Sequence, residues 1–589
     1  MADSTSVIAT LREMISVSPS DEATFTRAME TYLSSEDVSV QNAACDAFVQ
    51  LLEEGDGGTR DRRRALLLED TALTYMPLLL PLSLIGGPSV PRSLSLISQY
   101  GRPREVVLGL TEALQYMVER AEGFAFNDEG QDERGEVDEK VESVSEWLIA
   151  ISEFELILIY FKTAIPRLPN ARSTPTLLSV SEAISLALDS LSSSTKADSS
   201  RGLIQQACEL IDVIWEWVQP TSDAGGEQRN ILCNLLYHFV AGLGYKVNAG
   251  LTERWFLATY PRFGGPQTTL QLSLDGEDGW GRGAMALERA RKTAHLLDLS
   301  DRALFDKIVN ISNITIQGSI ASLILLAAES ATSNELFKLL PSPLPANLLG
   351  DFIPIISVAL GGSASDAGAV WTWKLIHLAL QEKSKGGSVV LEDDDAVTLF
   401  ESLIPLTAQW PSPVMRQALF KLIGAVVSLH SSSSEKIQLL KQLLDPANPF
   451  DNIRIQSFSL LREEIVASPT LVSSELLVEL SPVFFLSTPN QDSPFTFTPP
   501  DLLNSPYPTL WTEIAMFVWF LSTRDTSDET RLKSEYKDRI GRWLTHTERK
   551  MEECRRFLDE SEAIMGYGQG FVLARWEDSL HRAKAAMGL

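Results

Sequence analysis

The sequence has little cysteine and little histidine, the residues that most often hold transition metals or carry redox chemistry. It contains 4 cysteines and 6 histidines in 589 residues, with no C-x-x-C pair and no two histidines four residues apart. We therefore predict no zinc or redox motif, no metal and no cofactor. The simplest expectation is a reducing compartment with buried free thiols. The cysteines are Cys45, Cys208, Cys233 and Cys554.

Long apolar runs are also missing. The longest ones, at residues 75–85 and 320–328, fall far short of the ~20 residues needed to cross a bilayer. The N-terminus begins Met-Ala-Asp-Ser-Thr-Ser and lacks the basic start and apolar core of a signal peptide. These absences predict a soluble protein without a membrane partner. We expect it in the cytoplasm, with the nucleus as an open alternative.

Positive charge is scarce relative to negative charge. The chain has 50 Lys and Arg against 78 Asp and Glu, a formal net charge of −28. Such a charge repels phosphate backbones, so we expect no nucleic-acid partner. Two interpretations stay open, because the acid either only keeps a large protein soluble or attracts basic partners.

Alternating apolar and polar runs bounded by hairpin signals are almost absent, which favours an all-α protein. Residues 409–468 show the repeating unit best. Ser412 followed by Pro413 is typical of a helix start, and an apolar stripe at helical spacing follows. Ser434 is predicted to cap a second helix, and Asn448 with Pro449 to begin a third. The stripe of the first helix comprises Met415, Leu419, Leu422, Val426 and Leu429.

Short helices with one apolar stripe cannot bury it alone and must stack on their neighbours. The sequence therefore predicts a HEAT/armadillo-like helical-repeat solenoid. Composition divides it into two helical halves, residues 1–260 and 288–589, separated by a Gly-, Pro- and Asp-rich linker at 261–287. In the first half we predict an exposed acidic loop at 122–142 and a Ser-rich linker at 192–200.

A long charged helix is predicted for residues 526–565. Between Arg524 and Glu560 its basic and acidic residues balance ten to ten, so the negative excess lies upstream. This helix either caps the stack or docks a protein partner, and both interpretations stay open. Its predicted apolar stripe comprises Leu532, Tyr536, Ile540, Trp543, Thr547, Met551, Cys554 and Leu558.

No catalytic motif is visible, and we predict that the chain is not an enzyme. The glycine-rich stretches 275–283 and 566–570 lack the strand and the Gly-Lys-Ser/Thr of a phosphate loop, so we expect flexible turns. The acidic cluster 392–395 fits no calcium loop and is predicted to be a solvated surface. Tryptophans two residues apart, at 215/217 and 371/373, cannot share one helix face. One member of each pair is a candidate surface anchor.

Two segments resemble one protein family. Asn448-Pro-Phe-Asp-Asn-Ile-Arg454, followed by Leu460-Leu-Arg-Glu-Glu464, resembles the Cys-Pro-Phe-x-x-Val-Arg…Leu-Leu-Lys-Asp segment of the glomulin family. Leu510-Trp-Thr-Glu-Ile514 and the charged helix with Tyr536 are similar to that family's C-terminal Leu-Trp-Thr-Glu-Leu and long final helix. The family includes a plant lateral-root protein and the fungal YAP-binding proteins. Asn448 and Arg462 depart from its pattern, which has cysteine and lysine there.

The resemblance implies a HEAT-like repeat protein whose C-terminal half binds the RING subunit of cullin-RING ubiquitin ligases. Such a protein blocks access of the ubiquitin-conjugating enzyme by steric competition. A second implied function is a YAP-binding scaffold, acting in the oxidative stress response through a transcription factor or at kinetochores. By this resemblance, the residues expected to contact a partner are Trp511, Thr512, Glu513, Asn452, Arg454, Tyr536 and Arg539.

A third function follows from charge alone and not from the resemblance. A chain with a net charge of −28 would suit a carrier of basic cargo. Such charge-driven binding would weaken at high salt, because salt screens it.

Overall fold

The structure is a computed structural model, and every secondary-structure element of the described residues is helical. The all-α prediction is therefore confirmed for this part of the chain. Besides isolated positions, the described residues are 22–54, 57–68, 71–83, 85–128, 138–169, 173–218, 225–263, 279–309, 316–330, 347–362, 364–387, 391–430, 432–485, 494–560 and 567–589.

We number the helices in chain order. The first fourteen are α1 Glu22–Leu33, α2 Val38–Glu53, α3 Gly57–Leu68, α4 Ala72–Leu79, α5 Ser89–Tyr100, α6 Pro103–Asp128, α7 Asp138–Ala164, α8 Thr174–Ser192, α9 Ala197–Val218, α10 Gly225–Leu243, α11 Leu251–Thr259, α12 Trp280–Leu296, α13 Asp301–Val309 and α14 Ile316–Ser330. The next eleven are α15 Leu348–Gly361, α16 Ser365–Ser384, α17 Asp393–Gln409, α18 Pro413–Leu429, α19 Ser433–Leu444, α20 Asp451–Ala467, α21 Ser474–Phe484, α22 Pro499–Leu503, α23 Tyr507–Arg524, α24 Lys537–Glu560 and α25 Tyr567–Met587.

The chain forms two compact units. Unit 1 comprises Met1–Leu339 with Gly362–Val370, and unit 2 comprises Leu340–Gly361 with Trp371–Leu589. This division differs from the predicted halves at 1–260 and 288–589. The physical reason is that residues 279–309 are helical and pack within unit 1 instead of linking two bodies.

Unit 1 is built from two series of helices in chain order. Within each series a helix packs on one that lies two to four positions further along, so that α4, α6, α8, α10 and α14 form one series. The second series comprises α2, α5, α7, α9 and α12. Contacts between the series join α6 to α7 and α9 to α10. Contacts restricted to near neighbours in the chain are the property of helical repeats, so the predicted helical-repeat architecture is confirmed here.

Apolar side chains hold the two series of unit 1 together. Phe154 of α7 and Phe239 of α10 are both buried, and their rings stack with centroids 6.2 Å apart. Helix α9 buries residues on two faces because it packs on α7, α10 and α12. Its buried apolar residues are Leu203, Ile204, Ala207, Cys208, Leu210, Ile211, Ile214 and Val218.

Glycine permits a close helix contact where a flexible linker was predicted. Residues 280–287 begin α12, and Gly283 is buried in its first turns. A Cβ at Gly283 would lie 2.3 Å from the carbonyl oxygen of Val247, so any larger residue would push α12 away. Gly250, at φ 54°, lies against the ring of Trp280 in the same contact. The linker prediction is therefore wrong for residues 280–287, and residues 264–278 lie outside the described ones.

Two other predicted loops are shorter than expected. Helix α6 continues to Asp128 and α7 begins at Asp138, so both ends of the predicted acidic loop 122–142 are helical. Glu and Lys have high helix propensity, so an acidic composition does not by itself exclude a helix. Residues 129–137 lie outside the described part of the chain. Likewise α9 begins at Ala197, which leaves only residues 193–196 of the predicted Ser-rich linker 192–200 between helices.

Unit 2 repeats the same construction. Helices α17, α20, α23 and α25 contact one another successively, and α18 and α19 pack beside α17 and α20. The stripe predicted for α18 is confirmed, since all five of its residues are buried. Ser412 accepts a hydrogen bond from the Met415 amide at 3.4 Å, as the predicted N-cap should. The cap of α19 is Ser432 and not the predicted Ser434.

The C-terminal end of unit 2 differs from the predicted single helix at 526–565. Residues 525–536 form turns, because two aspartates bind backbone amides that a helix would need. Asp525 accepts from the amides of Glu529 and Thr530, and Asp528 accepts from those of Lys533 and Ser534. Helix α24 then begins at Lys537, and the predicted stripe is buried from Ile540 to Leu558.

A further helix, α25, follows α24 and was not predicted. Residues 567–570 belong to its first turn instead of a flexible glycine turn. Glycine is tolerated there because packing of the rest of the helix supplies its stability. Helix α25 packs on both α23 and α24.

The N-terminal end of α11 is capped by a carboxylate that lies more than 100 residues further along the chain. The N-cap position of α11 is Gly250, which has no side chain to offer. The carboxylate of Asp366 on α16 accepts instead from the amides of Leu251 at 2.6 Å and Thr252 at 2.7 Å. The Thr252 hydroxyl in turn donates to the Asp366 carbonyl at 2.6 Å. This contact fixes residues 362–370 within unit 1.

We predict that Asp366→Ala loosens the start of α11. Loss of an N-cap costs about 1–2 kcal/mol, which corresponds to a roughly 5- to 30-fold faster exchange of the first-turn amides. Hydrogen–deuterium exchange by mass spectrometry on the full chain measures this. Glu216→Ala, at an exposed position of α9, is the matched control and should leave α11 unchanged. Unchanged exchange of α11 in Asp366→Ala would contradict the capping role.

Candidate protein-binding surface

The three predicted partner residues on α23 are buried. Trp511 lies at the centre of an aromatic cluster, with ring centroids 4.9 Å from Phe495, 6.0 Å from Tyr507 and 5.4 Å from Trp576. The Thr512 hydroxyl donates to the Pro508 carbonyl one helical turn earlier, at 2.7 Å. Trp511 therefore stabilises the packing of α23 against its neighbours, whereas the hydrogen bond of Thr512 stays within α23, and both side chains are buried.

Glu513 joins three helices through its carboxylate. Its side chain is only 7% exposed, yet Arg462 of α20 donates to one oxygen at 2.8 Å and Arg575 of α25 to the other at 2.5 Å. Arginine suits such a site because its guanidinium stays charged and presents several donors. Arg462 belongs to the first segment that carries the family resemblance and Glu513 to the second. The two segments therefore meet in space.

A second ion pair involves Glu464, the last residue of the first of these segments. Lys436 of α19 and Glu464 of α20 are both buried, and their Nζ and Oε2 atoms are 2.9 Å apart. The hydroxyl of Ser428 on α18 donates to the other oxygen of Glu464 at 2.5 Å. The carboxylate thus has partners from two neighbouring helices, which is the condition under which a buried charge is tolerated.

The remaining predicted residues divide between interior and surface. Asn452, in the first turn of α20, is exposed and available to a partner. Arg454 is buried and pairs with Asp451 at 2.9 Å. Arg539 is half-buried, and its guanidinium donates to the Phe485 carbonyl at 3.0 Å. It therefore holds the end of α21 against α24.

Tyr536 is half-buried just before α24 begins. Its carbonyl accepts from the Ile540 amide at 3.0 Å, so its backbone belongs to the start of the helix.

The tryptophan pairs offer less surface than expected. Trp371 is fully buried and stacks on Phe352 with centroids 5.6 Å apart. Trp217 is half-buried and donates its indole N–H to the Leu168 carbonyl at 3.2 Å. Trp215 and Trp373 are half-buried as well. Whether one of these rings contacts a partner stays a prediction.

The exposed face of α24 carries a surface that our reading of the sequence missed. Arg542, Arg549 and Arg556 follow one another at seven-residue spacing and are all exposed. Seven residues are two helical turns with a drift of only ~20°, so the three side chains project in one row. We call them the arginine row. The spacing was visible in the sequence, but the equal totals of basic and acidic residues concealed it.

A basic cleft adjoins one end of the arginine row. It has a volume of about 450 Å³ and is lined by residues of α24 together with the C-terminal end of the chain. Gly541 and Leu589 are among its lining residues. The charged or titratable lining residues are Lys537, Asp538, Arg542, His546 and Lys584. On α25, Phe571 is 71% exposed and is the most exposed large apolar side chain of the described residues.

Comparisons with known proteins identify no family. No family model matches the sequence, and no curated protein matches it. Among solved structures, "Crystal structure of Uso1-2" aligns with a TM-score of 0.27 and 13% identity over 98% of this chain and 97% of that one. "Crystal structure of Kap121p bound to Pho4p" gives 0.24 and 13% over 100% and 66%, and "Crystal structure of Kap121p bound to Ste12p" 0.23 and 12% over 100% and 65%. These scores are too low to indicate a function.

The four cysteines are poorly reactive for a physical reason. All are buried, and desolvation raises the pKa of Cys45 and Cys208 to about 12 and of Cys233 and Cys554 to about 11. Only the thiolate is a good nucleophile, so these thiols are nearly inert near neutral pH. Among the described residues no helix combines the length and the apolar character that a membrane span requires.

We predict slow thiol labelling in the folded protein. At pH 7.5 iodoacetamide should modify the native cysteines at least about 100-fold more slowly than the same chain in urea, because burial lowers both access and thiolate fraction. Quantitative mass spectrometry of each cysteine peptide measures the rates. A cysteine that labels in the native state as fast as in urea would contradict this burial.

We predict unequal costs for removing the members of the Glu513 cluster. Glu513→Ala should lower the free energy of unfolding of unit 2 by about 2–3 kcal/mol, because it removes two charge-assisted hydrogen bonds and leaves Arg462 short of a partner. Arg575→Ala should cost about 1 kcal/mol or less, since that side chain is 53% exposed. Urea denaturation followed by tryptophan fluorescence measures both. Equal losses of unfolding free energy in the two variants would contradict the difference in burial between Glu513 and Arg575.

Proposed function

We propose that this chain is a non-catalytic protein-binding regulator of the glomulin type. In this proposal unit 2 binds the RING subunit of a cullin-RING ubiquitin ligase and blocks access of the ubiquitin-conjugating enzyme. The observation that carries it is the Arg462–Glu513 ion pair at 2.8 Å. It joins the two segments that resemble the family and, through Arg575, connects them to α25.

The buried residues of these segments and the exposed ones then have different roles. Glu513, Arg462 and Trp511 fix how α20, α23 and α25 pack. Contact with the partner is made by the exposed faces of α24 and α25, which these residues position. Inhibition needs no chemistry under this proposal, because a partner surface covered by the two helices is closed to a second protein.

The size of the surface suits this role. Helix α24 has 24 residues, which corresponds to a length of about 36 Å at ~1.5 Å per residue. Two packed helices are about 20 Å wide, so α24 and α25 together offer roughly 700 Å². A standard protein interface buries about 800 Å² per partner.

Charge gives the surface a preferred kind of partner. The arginine row carries three positive charges on a chain whose net charge is −28. Arg549 also pairs with Glu553 at 3.3 Å, and Lys584 of the neighbouring cleft pairs with Glu548, so Arg542 and Arg556 offer the clearest positive charge. A partner with an acidic patch is attracted to this face and repelled by the rest of the protein. Near the start of α25, Phe571 offers an exposed apolar side chain of the kind that often anchors an interface.

We predict that reversing the arginine row weakens binding without unfolding the protein. Arg542→Glu with Arg556→Glu changes two exposed side chains, so stability should stay within about 0.5 kcal/mol. Binding to a recombinant cullin–RING complex, measured by biolayer interferometry, should weaken about tenfold or more, and inhibition in a ubiquitin-transfer assay should fall in parallel.

The matched control is Arg104→Glu, which reverses an exposed charge on α6 of unit 1. It should leave both binding and inhibition unchanged. If the full-length wild-type chain neither binds the complex nor slows ubiquitin transfer, the proposal is wrong. Equal losses of binding in the control and in the arginine-row variant would instead show that α24 is not part of the binding surface.

A second candidate is the scaffold for a stress transcription factor that the fungal members of the family suggest. The arginine row favours it equally, because it suits an acidic segment of such a factor. The burial of all four cysteines argues that oxidant sensing in this case would belong to the factor and not to this chain. Unchanged peroxide sensitivity and unchanged nuclear accumulation of the factor after deletion of the protein would exclude it.

A further inference from the structure

Three potential metal ligands converge in unit 2 from consecutive helices. Asp393 is the first residue of α17, His430 directly follows α18, and Glu435 lies in the first turn of α19. One nitrogen or oxygen from each side chain lies within 4.8 Å of the other two. The residues are 37 and 5 positions apart along the chain, so no sequence motif marks them.

The histidine at the centre of this group is the unusual member. Its side chain is 1% exposed, and its Nδ1 lies 3.5 Å from Asp393 Oδ1 and 3.6 Å from Glu435 Oε2. Both distances exceed the ~2.7–3.2 Å of most hydrogen bonds. Its Nε2 is buried and has no hydrogen-bond partner among the described residues. A buried imidazole thus faces two carboxylates without a hydrogen bond of ordinary length to either.

The two distances from His430 Nδ1 are close to the ligand-to-ligand distances of a tetrahedral zinc site. Ligands at ~2.0–2.1 Å in a tetrahedron lie about 3.4 Å from one another, close to the two distances observed from Nδ1. The third edge, within 4.8 Å, closes by small rotations of two carboxylates that are partly exposed. Mixed imidazole and carboxylate ligands suit zinc, whereas calcium and magnesium prefer oxygen ligands only.

The surrounding charges favour a cation on balance. Glu392, Asp394 and Asp395 lie beside Asp393 in the sequence and add negative charge. Lys383 opposes them, but its ammonium is held by the carbonyls of residues 428–430 at 2.7–3.3 Å.

We propose that Asp393, His430 and Glu435 form a zinc site in which His430 Nδ1 and one oxygen of each carboxylate bind the ion. A water molecule would complete the tetrahedron, as at zinc sites with three protein ligands. The ion would connect the start of α17, the end of α18 and the start of α19. Since α19 and α20 are joined by the Lys436–Glu464 ion pair, zinc binding would stabilise the part of unit 2 that precedes α23.

The competing explanation is that a proton and not a metal holds the three groups together. A protonated His430 between two carboxylates would be a simple ion-pair cluster. The two explanations differ in their response to zinc, because only a metal site gains stability when the free ion is added.

The experiment titrates zinc chloride into the full chain, first stripped with a chelator, by isothermal calorimetry at pH 7.5. We expect one saturable site with micromolar affinity and a rise in the thermal unfolding midpoint with zinc. The test variant is Asp393→Asn with Glu435→Gln, which leaves the buried His430 in place. Its zinc affinity should fall by roughly tenfold or more, since even changes outside the ligand shell cost 10- to 100-fold.

The matched control is Asp394→Asn, the neighbouring exposed carboxylate on the same helix turn. It should bind zinc within about twofold of the wild type, because it is outside the ligand set. Circular dichroism without zinc shows whether each variant is folded, and any variant that is not is replaced by Glu435→Gln alone. Absence of saturable binding in the wild type, or equal losses in control and test variants, would overturn the zinc site.

Discussion

The structure depends on one constraint, which is that a short amphipathic helix cannot bury its apolar stripe without neighbours. In both units this is met by helices that are near in the chain, since each packs on helices one to four positions away. Helix α9 is sandwiched between three others and is therefore buried on two faces. Burial gains ~25 cal/mol per Å² of apolar surface, but only once neighbouring helices are in place. Stability is consequently shared between adjacent repeats.

Apolar packing alone specifies only weakly how stacked helices are aligned with one another. Buried polar contacts add to this alignment. Asp366 caps α11, Glu464 connects α18, α19 and α20, and Glu513 connects α20, α23 and α25. A buried charge is costly unless its partners are placed correctly. A shifted arrangement of these helices would separate each carboxylate from its partners and leave it buried without them.

The same distinction separates the residues that resemble glomulin from those that we expect to touch a partner. Trp511, Thr512, Glu513 and Arg454 are buried, so their side chains determine the shape of unit 2. The arginine row lies outside, on a helix whose inner stripe packs against α22 and α25. Under the proposed function, the sequence motif would mark the support of the binding surface, while the surface itself would lie on other residues.

The sequence by itself determined the class of fold and most of its local structure. Helical spacing predicted the buried stripes of α18 and α24, and Ser412 predicted its own cap, because these depend on residues within a few turns of one another. It misjudged residues 280–287, where the outcome depends on an opposing backbone that tolerates only Gly283. It also misjudged residues 526–536, where Asp525 and Asp528 bind nearby backbone amides in competition with a helix. Only the tertiary structure brought Arg462 to Glu513, across 51 positions, and gathered Asp393, His430 and Glu435 from three helices. Periodicity records which face of a helix is buried, but not which helix covers it, so every contact between distant helices had to come from the packed structure.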